Sequence, residues 1–222
     1  MNKSLIITPL LLVGTLILFE VMPIDLWLQN HFYNFSQQQW LVDKQNGVLR
    51  FIFYDGIKAI YILFVLLLLI ALLWFKKHPT VHFYKQGLLL VLLSTICVPL
   101  VISMLKATTN MPCPKDTLPY GGNYPIIGLF HIYPASYPSL PKIKCFPAGH
   151  ASGGFALLSL FFLFRTRRNK VIALISTLTL AWAIGGYKML IGDHFLSHTL
   201  VSMLLSWWII LIIRQQLMRR QI

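Results

Sequence analysis

The chain has 222 residues, 57% of them hydrophobic and 11% charged, with a formal net charge of +13 and a mean hydropathy of +0.70. A soluble domain carries about a quarter charged residues, so this composition excludes an ordinary water-soluble globule and points to the bilayer as solvent. No basic stretch is interleaved with stacking aromatics, so the positive charge reads as cytoplasmic loops and headgroup anchoring and not as nucleic-acid binding.

The N-terminus, MNKSLIITPLLLVGTLILFEVMP, starts like a signal peptide but lacks a small-residue cleavage site and ends in Glu20 and Pro23. It reads as a retained first span. Six apolar segments, 4–23, 52–75, 86–105, 148–165, 170–191 and 197–213, approach the ~20 residues that cross a hydrocarbon core. The expected fold is therefore all-α: a polytopic membrane protein with six transmembrane helices, residues 1–222 forming one membrane domain. Between the first two spans, LWLQNHFYNFSQQQW reads as an interfacial aromatic segment.

Short loops set the orientation. FKKHPTVHFYK after span two, RTRRNK after span four and RQQLMRR at the end are all basic, which places them, and both termini, on the cytoplasmic side. The other loops, 24–50, the long 106–147 and the turn near 192–196, then face outward. All six acidic residues, Glu20, Asp25, Asp43, Asp55, Asp116 and Asp193, lie in or near those outer regions.

The same outer face collects the unusual polar groups. Lys106 ends span three, His150 begins span four, Lys188 and Asp193 end span five, and His194 and His198 begin span six. Ionisable residues at membrane depth cost about 2.5–3.5 kcal/mol each on insertion scales, so six on one face read as a functional site. PAGH (147–150) leads into a helix whose first N–H groups and positive dipole end attract anions, and small Ala148 and Gly149 let a ligand approach the backbone. With lysines on either side this is a phosphate cradle, and two histidines beside it suggest one nucleophile and one general acid.

Three segments resemble the motifs of the type 2 phosphatidic acid phosphatase superfamily: KATTNMPCP (106–114), PAGH (147–150) and YKMLIGDHFLSH (187–198). That family's pattern is Lys, six residues, Arg-Pro; then Pro-Ser-Gly-His; then Ser-Arg, five residues, His, three residues, Asp. The spacing matches in all three, and Lys106, Pro114, Pro147, Gly149, His150 and His194 agree with the pattern. Cys113 stands for the first Arg, Ala148 for the Ser, Tyr187 for the second Ser, Lys188 for the second Arg and His198 for the Asp. The resemblance implies an outward-facing site in which His194 attacks phosphorus and His150 protonates the leaving oxygen. Lys106, Lys188 and the Ala148 and Gly149 amides would bind the phosphoryl oxygens, without metal or cofactor. His198, one helical turn after His194, is expected to hydrogen-bond and orient it but brings no negative charge; Asp193 and Asp55 are the candidates to replace that carboxylate.

Cys113 and Cys145 share the outer loop, where an oxidising compartment favours a disulfide between them, while Cys97 is expected inside span three. Lys115, Lys142 or Lys144 would then supply the charge that Cys113 does not. His194 and His198 are also spaced as metal ligands often are, and with His150 or Asp193 could make a three-ligand zinc site. The expected function is a lipid phosphatase of a bacterial inner membrane, its partners the lipid phosphate substrate and membrane lipids. The rival readings are a non-catalytic lipid-phosphate binder or partner subunit, and a transporter. The clustering of polar groups at one surface instead of the midplane argues against the transporter.

Overall fold

A computed structural model describes residues 3–131, 133 and 140–219, so part of the long loop expected at 106–147, and Arg220 of the basic stretch RQQLMRR, lie outside the described residues. Helix α1 (Ser4–Val21) is followed by a short α2 (Ile24–Asn30) and a two-stranded hairpin, β1 (Tyr33–Asn34) with β2 (Gln39–Trp40), paired antiparallel with Tyr33 opposite Trp40. Four long or medium helices come next: α3 (Gly47–Trp74), α4 (Pro79–Thr108), α5 (Gly149–Leu163) and α6 (Arg167–Leu190); α7 (Leu196–Arg219) closes the bundle. Among the described residues five helices, α1, α3, α4, α6 and α7, are long and apolar enough to cross a membrane, and α5 is a shorter apolar helix.

Helix α5 gains a little reach from a 3₁₀ turn at Leu157–Ser159, which rises about 2.0 Å per residue against about 1.5 Å in an α-helix. Two helices start earlier than hydropathy predicts. Asn46 caps α3 by accepting the Leu49 N–H, and Pro79 occupies the first turn of α4, where its missing N–H costs nothing. The expected basic loop 75–85 is therefore mostly the first two turns of α4.

Packing in the bundle relies on small residues. Ala148, Ala151, Ala156 and Ala181 are buried with Phe155, Val98, Ile102 and Ile210. At Gly154 an added Cβ would lie 2.9 Å from Ala181, and at Gly185 it would lie 2.5 Å from Thr199 Cγ2. Close backbone approach of this kind supplies the van der Waals contact that lipid-immersed helices need, since lipid gives them no hydrophobic drive to associate. Buried hydroxyls bond back along their own helices: Thr177 to Ala173 O (2.6 Å), Ser202 to His198 O (2.8 Å) and Ser206 to Ser202 O (2.6 Å). Helices α1 and α3 expose most of their side chains outward, as lipid-facing walls do.

Part of the aromatic segment expected to lie along the headgroups packs onto the protein, while Trp27 and Phe35 stay exposed. Tyr33 is buried with Tyr120 and Phe195, and Leu26 and Trp40 pack against that cluster. Cys113 and Cys145 form a disulfide closing a loop of sequence separation 32, and Cys97 on α4 is half-buried. At the end of α1, Glu20 accepts the Leu129 N–H (3.1 Å) and pairs with His131 (2.7 Å).

Candidate active site

At the bundle end opposite the basic loops, a cavity of about 350 Å³ opens where α3, α4, α5 and α6 converge with the turn between α6 and α7. His150, His194, Lys106 and Lys188 line it, as motif spacing leads one to expect. Three further cations, Lys44, Arg50 and Lys115, line it as well, together with Tyr54, Tyr187 and Asp193. Of the three lysines expected to compensate for Cys113, Lys115 is the one in the wall.

Each side chain has a local reason for its place. Helix α5 starts at Gly149 with no side chain capping it, so its first N–H groups are left for a ligand or solvent. Ala148 is fully buried and donates its own N–H to His198 O (3.2 Å), so the amide expected to bind substrate there is already occupied; Gly149 is the first one left. His150 lies against Tyr54, their ring centroids 5.0 Å apart, on a π-turn (Phe51–Gly56) that interrupts α3. Lys188 is 4% exposed, with its ammonium 4.8 Å from the Tyr54 ring centre. Tyr187, in the position of the family's serine, stacks on Phe53 at 5.1 Å.

His194 is 2% exposed, and its Nδ1 lies 3.4 Å from Nδ1 of His198, which is fully buried. The two rings meet, but not as one turn of a helix: His194 lies in the turn ahead of α7, which begins at Leu196. Cys145 Sγ is 3.5 Å from the same His194 nitrogen and 3.1 Å from Asp193 O, so the disulfide is packed directly against the histidine pair. His198 Nε2 is buried without a partner among the described residues. The rings of His150 and His194 are 6.4 Å apart across the cavity.

Neither carboxylate considered as a replacement serves His194. Asp193 Oδ1 accepts from Lys115 (2.6 Å) and faces Lys44 (3.5 Å), while Oδ2 accepts from Lys188 (2.9 Å). Burial works to raise the Asp193 pKa, but the hydrogen bonds from Lys115 and Lys188 overcome it and hold the carboxyl well below its ordinary range. Asp55 is half-exposed and pairs with Arg50 at 3.3 Å. Among the described residues the one cluster with metal-ligand spacing is Cys145, His194 and His198, and the Cys145 sulfur is bound up in the disulfide. The zinc triad with Asp193 is not assembled, because the lysines take its carboxylate. In the turn between α6 and α7, burial lowers the His194 pKa well below its ordinary value, with His198, Lys106 and His150 adding to the effect, so the ring is neutral at pH 7.

Next to the cavity runs an apolar groove of about 530 Å³ between α3, α4, α5 and α6, walled by side chains such as Ile57, Ile60, Phe64, Leu157 and Leu160, with Gly153 and Gly154 in its floor. Tyr54 and His150 line both spaces, so they stand at the junction of groove and cavity. Motif spacing leads to Lys106, His150, Lys188 and His194 in this wall, but not to Lys44, Arg50 and Tyr54, which come from the region ahead of the motifs.

A model of the PAP2 superfamily matches residues 87–222, which hold all three motif segments. No curated protein and no solved structure matches the chain. The chain belongs to the PAP2 superfamily, a membrane-associated family of phosphatases acting on phosphate esters.

Proposed function

We propose that this PAP2-superfamily chain is an integral membrane lipid phosphatase of a bacterial inner membrane, all of residues 1–222 forming one catalytic domain. In this reading α5 serves as a sixth span, both termini are cytoplasmic and the cavity faces outward. The observation that carries the lipid assignment is the junction at His150 and Tyr54, where a strongly cationic cavity meets an apolar groove. A phosphorylated headgroup fits the first and a hydrocarbon chain the second, and the ester oxygen between them then falls beside His150.

The chemistry follows from the two rings. His194 Nδ1 is engaged with His198, which leaves Nε2 to attack phosphorus. For Nε2 to present a lone pair, the proton must sit on Nδ1 and be donated to His198 Nδ1. His198 then carries its own proton on Nε2, the atom without a partner. As the N–P bond forms, the P–O bond to the lipid breaks and His150 gives its proton to the departing oxygen. His150, now neutral, takes a proton from a water that attacks phosphorus, the N–P bond breaks, and inorganic phosphate leaves with His194 restored. Lys106, Lys188 and the Gly149 N–H stabilise the charge on the non-bridging oxygens.

A second reading, a non-catalytic lipid-phosphate binder or partner subunit of a lipid-modifying enzyme, is favoured by one observation: no carboxylate contacts His194 or His198 among the described residues. One experiment separates the two. Purified protein in detergent micelles is given long-chain lipid phosphates and diphosphates, with a short water-soluble phosphate ester for comparison, and released phosphate is measured. The phosphatase reading expects turnover of the long-chain substrates that His194→Ala lowers by at least ~10³-fold. Equal release by wild type and His194→Ala across the panel leaves the binder.

A further inference from the structure

The turn Ile191–Phe195 that carries His194 is held at both ends by side chains from one remote segment, residues 25–44. On its N-terminal side, Gln29 is 1% exposed and donates its amide to Met189 O (2.9 Å), one of the last carbonyls of α6. That carbonyl also accepts the Gly192 N–H (3.1 Å), so Gln29 adds a bond from outside to the helix end that leads into the turn. On its C-terminal side, Asp25 Oδ1 accepts the Ser197 N–H (2.8 Å) and Oδ2 accepts the Ser197 hydroxyl, so Asp25 caps the first turn of α7 from 172 residues away. Between these ends, Trp40 covers Gly192, which has φ +73°, and any Cβ there would lie 2.3 Å from the indole. Lys44 faces Asp193 at 3.5 Å. The clasp is itself anchored by the Tyr120 hydroxyl, which donates to Asn30 Oδ1 (2.8 Å).

We propose that residues 25–44 form a clasp that positions His194, with Asp25 and Gln29 as positioning residues for the reaction. The segment precedes the family-matched part of the chain, residues 87–222, so the three motifs do not contain it. His194 must present Nε2 to phosphorus while keeping Nδ1 on His198, and a short turn has two freedoms that spoil this, sliding of its α6 end and fraying of the first turn of α7. Gln29 stops the first and Asp25 the second. Neither side chain lines the cavity, so neither holds substrate.

The inference rests on the nucleophilic role proposed for His194, and the experiment keeps the two apart. Asp25→Ala, Asp25→Asn, Gln29→Ala and His194→Ala are assayed as full-length protein on a long-chain lipid phosphate, with amide hydrogen exchange over residues 189–199 measured in parallel. A misplacement of about 1 Å at a reacting centre costs about 10²-fold, so Asp25→Ala is expected to lose between about tenfold and 10²-fold in kcat with KM within about twofold. Asn also caps helices, so Asp25→Asn is expected to recover to within about threefold of wild type. Exchange in Asp25→Ala should rise at residues 192–198 and stay unchanged in the rest of α7. Wild-type kcat in Asp25→Ala, or kcat and KM worsening together with protection lost throughout α7, overturns the clasp while leaving the phosphatase reading intact. Turnover indifferent to His194→Ala overturns the role of His194, and the clasp with it.

Discussion

Replacing both Cys113 and Cys145 with alanine removes a cross-link between residues 32 apart. In the chain-entropy account, closing a loop of that length restricts the unfolded ensemble by about 12 cal/mol/K, or about 3.7 kcal/mol at 25 °C. Cys145 is fully buried against His194 and Asp193, so the alanine variant also loses sulfur contacts there, and the entropic figure is a lower bound if the site stays packed. For a protein of this size about 1 kcal/mol moves the midpoint by about 2–4 °C, which gives an expected fall of about 7–15 °C. The assay is thermal unfolding in detergent followed by tryptophan fluorescence, on wild type and double-alanine protein, each with and without a dithiol reductant. Reduced wild type should approach the variant, and the variant should ignore the reductant. A variant melting within about 2 °C of oxidised wild type would refute the reasoning, because it would mean that the outer loop does not open in the transition being measured.

Acid should weaken the cavity wall in a defined window. The Asp193 carboxyl is held below its ordinary range, so its contribution is present above about pH 4 and is lost as pH falls further; Asp193→Asn should abolish that part of the acid dependence of melting. Because the His194 pKa is lowered by burial, the first, phosphoryl-transfer step should show no acid limb from this residue in the ordinary histidine range; a single-turnover rate that halves reversibly as pH falls through about 6.5 would contradict a neutral His194, since His150 must be protonated in that step and lowers the rate only as pH rises. Gly185→Ala places a Cβ 2.5 Å from Thr199 Cγ2 and should destabilise the α6–α7 contact by about 1–3 kcal/mol in thermal unfolding. Thr199→Ser removes that methyl and should recover most of the loss; no recovery would locate the clash elsewhere.

How much of this was legible in the sequence depends on range. Helices α1, α4, α6 and α7 follow hydropathy to within a few residues at the site end, because each holds a continuous apolar run long enough to cross a bilayer. The early starts at Gly47 and Pro79 were hidden because caps, not hydropathy, set them. Motif spacing brings Lys106, His150 and His194 to one cavity wall, where they lie, and compartment leads to the Cys113–Cys145 pairing. Asp193 could be assigned only in part from its neighbours: Lys188 is five residues away, but Lys115 and Lys44 lie 78 and 149 residues away. The same holds for Asp25 on Ser197, whose separation of 172 leaves no local pattern to read. The aromatic segment 26–40 looked interfacial because composition reports amphipathic character but not what the apolar side touches. Its partners, Tyr120 and Phe195, belong to distant parts of the chain.

The pairing of α1 with α7 and of Asp25 with Ser197 gives the molecule a schedule. A chain emerging from the ribosome presents α1 well before α7, at about 5–20 residues per second. Until Leu196–Arg219 has entered the membrane, α1 lacks the helix it packs on most, and Asp25 and Gln29 have nothing to hold. The three motifs are also divided along the chain, and the last of them, with His194, arrives beside that same helix. The site is thus complete only once α7 is in place, so a chain cut ahead of the third motif, however well inserted, would carry Lys106, Lys115 and His150 but no assembled centre.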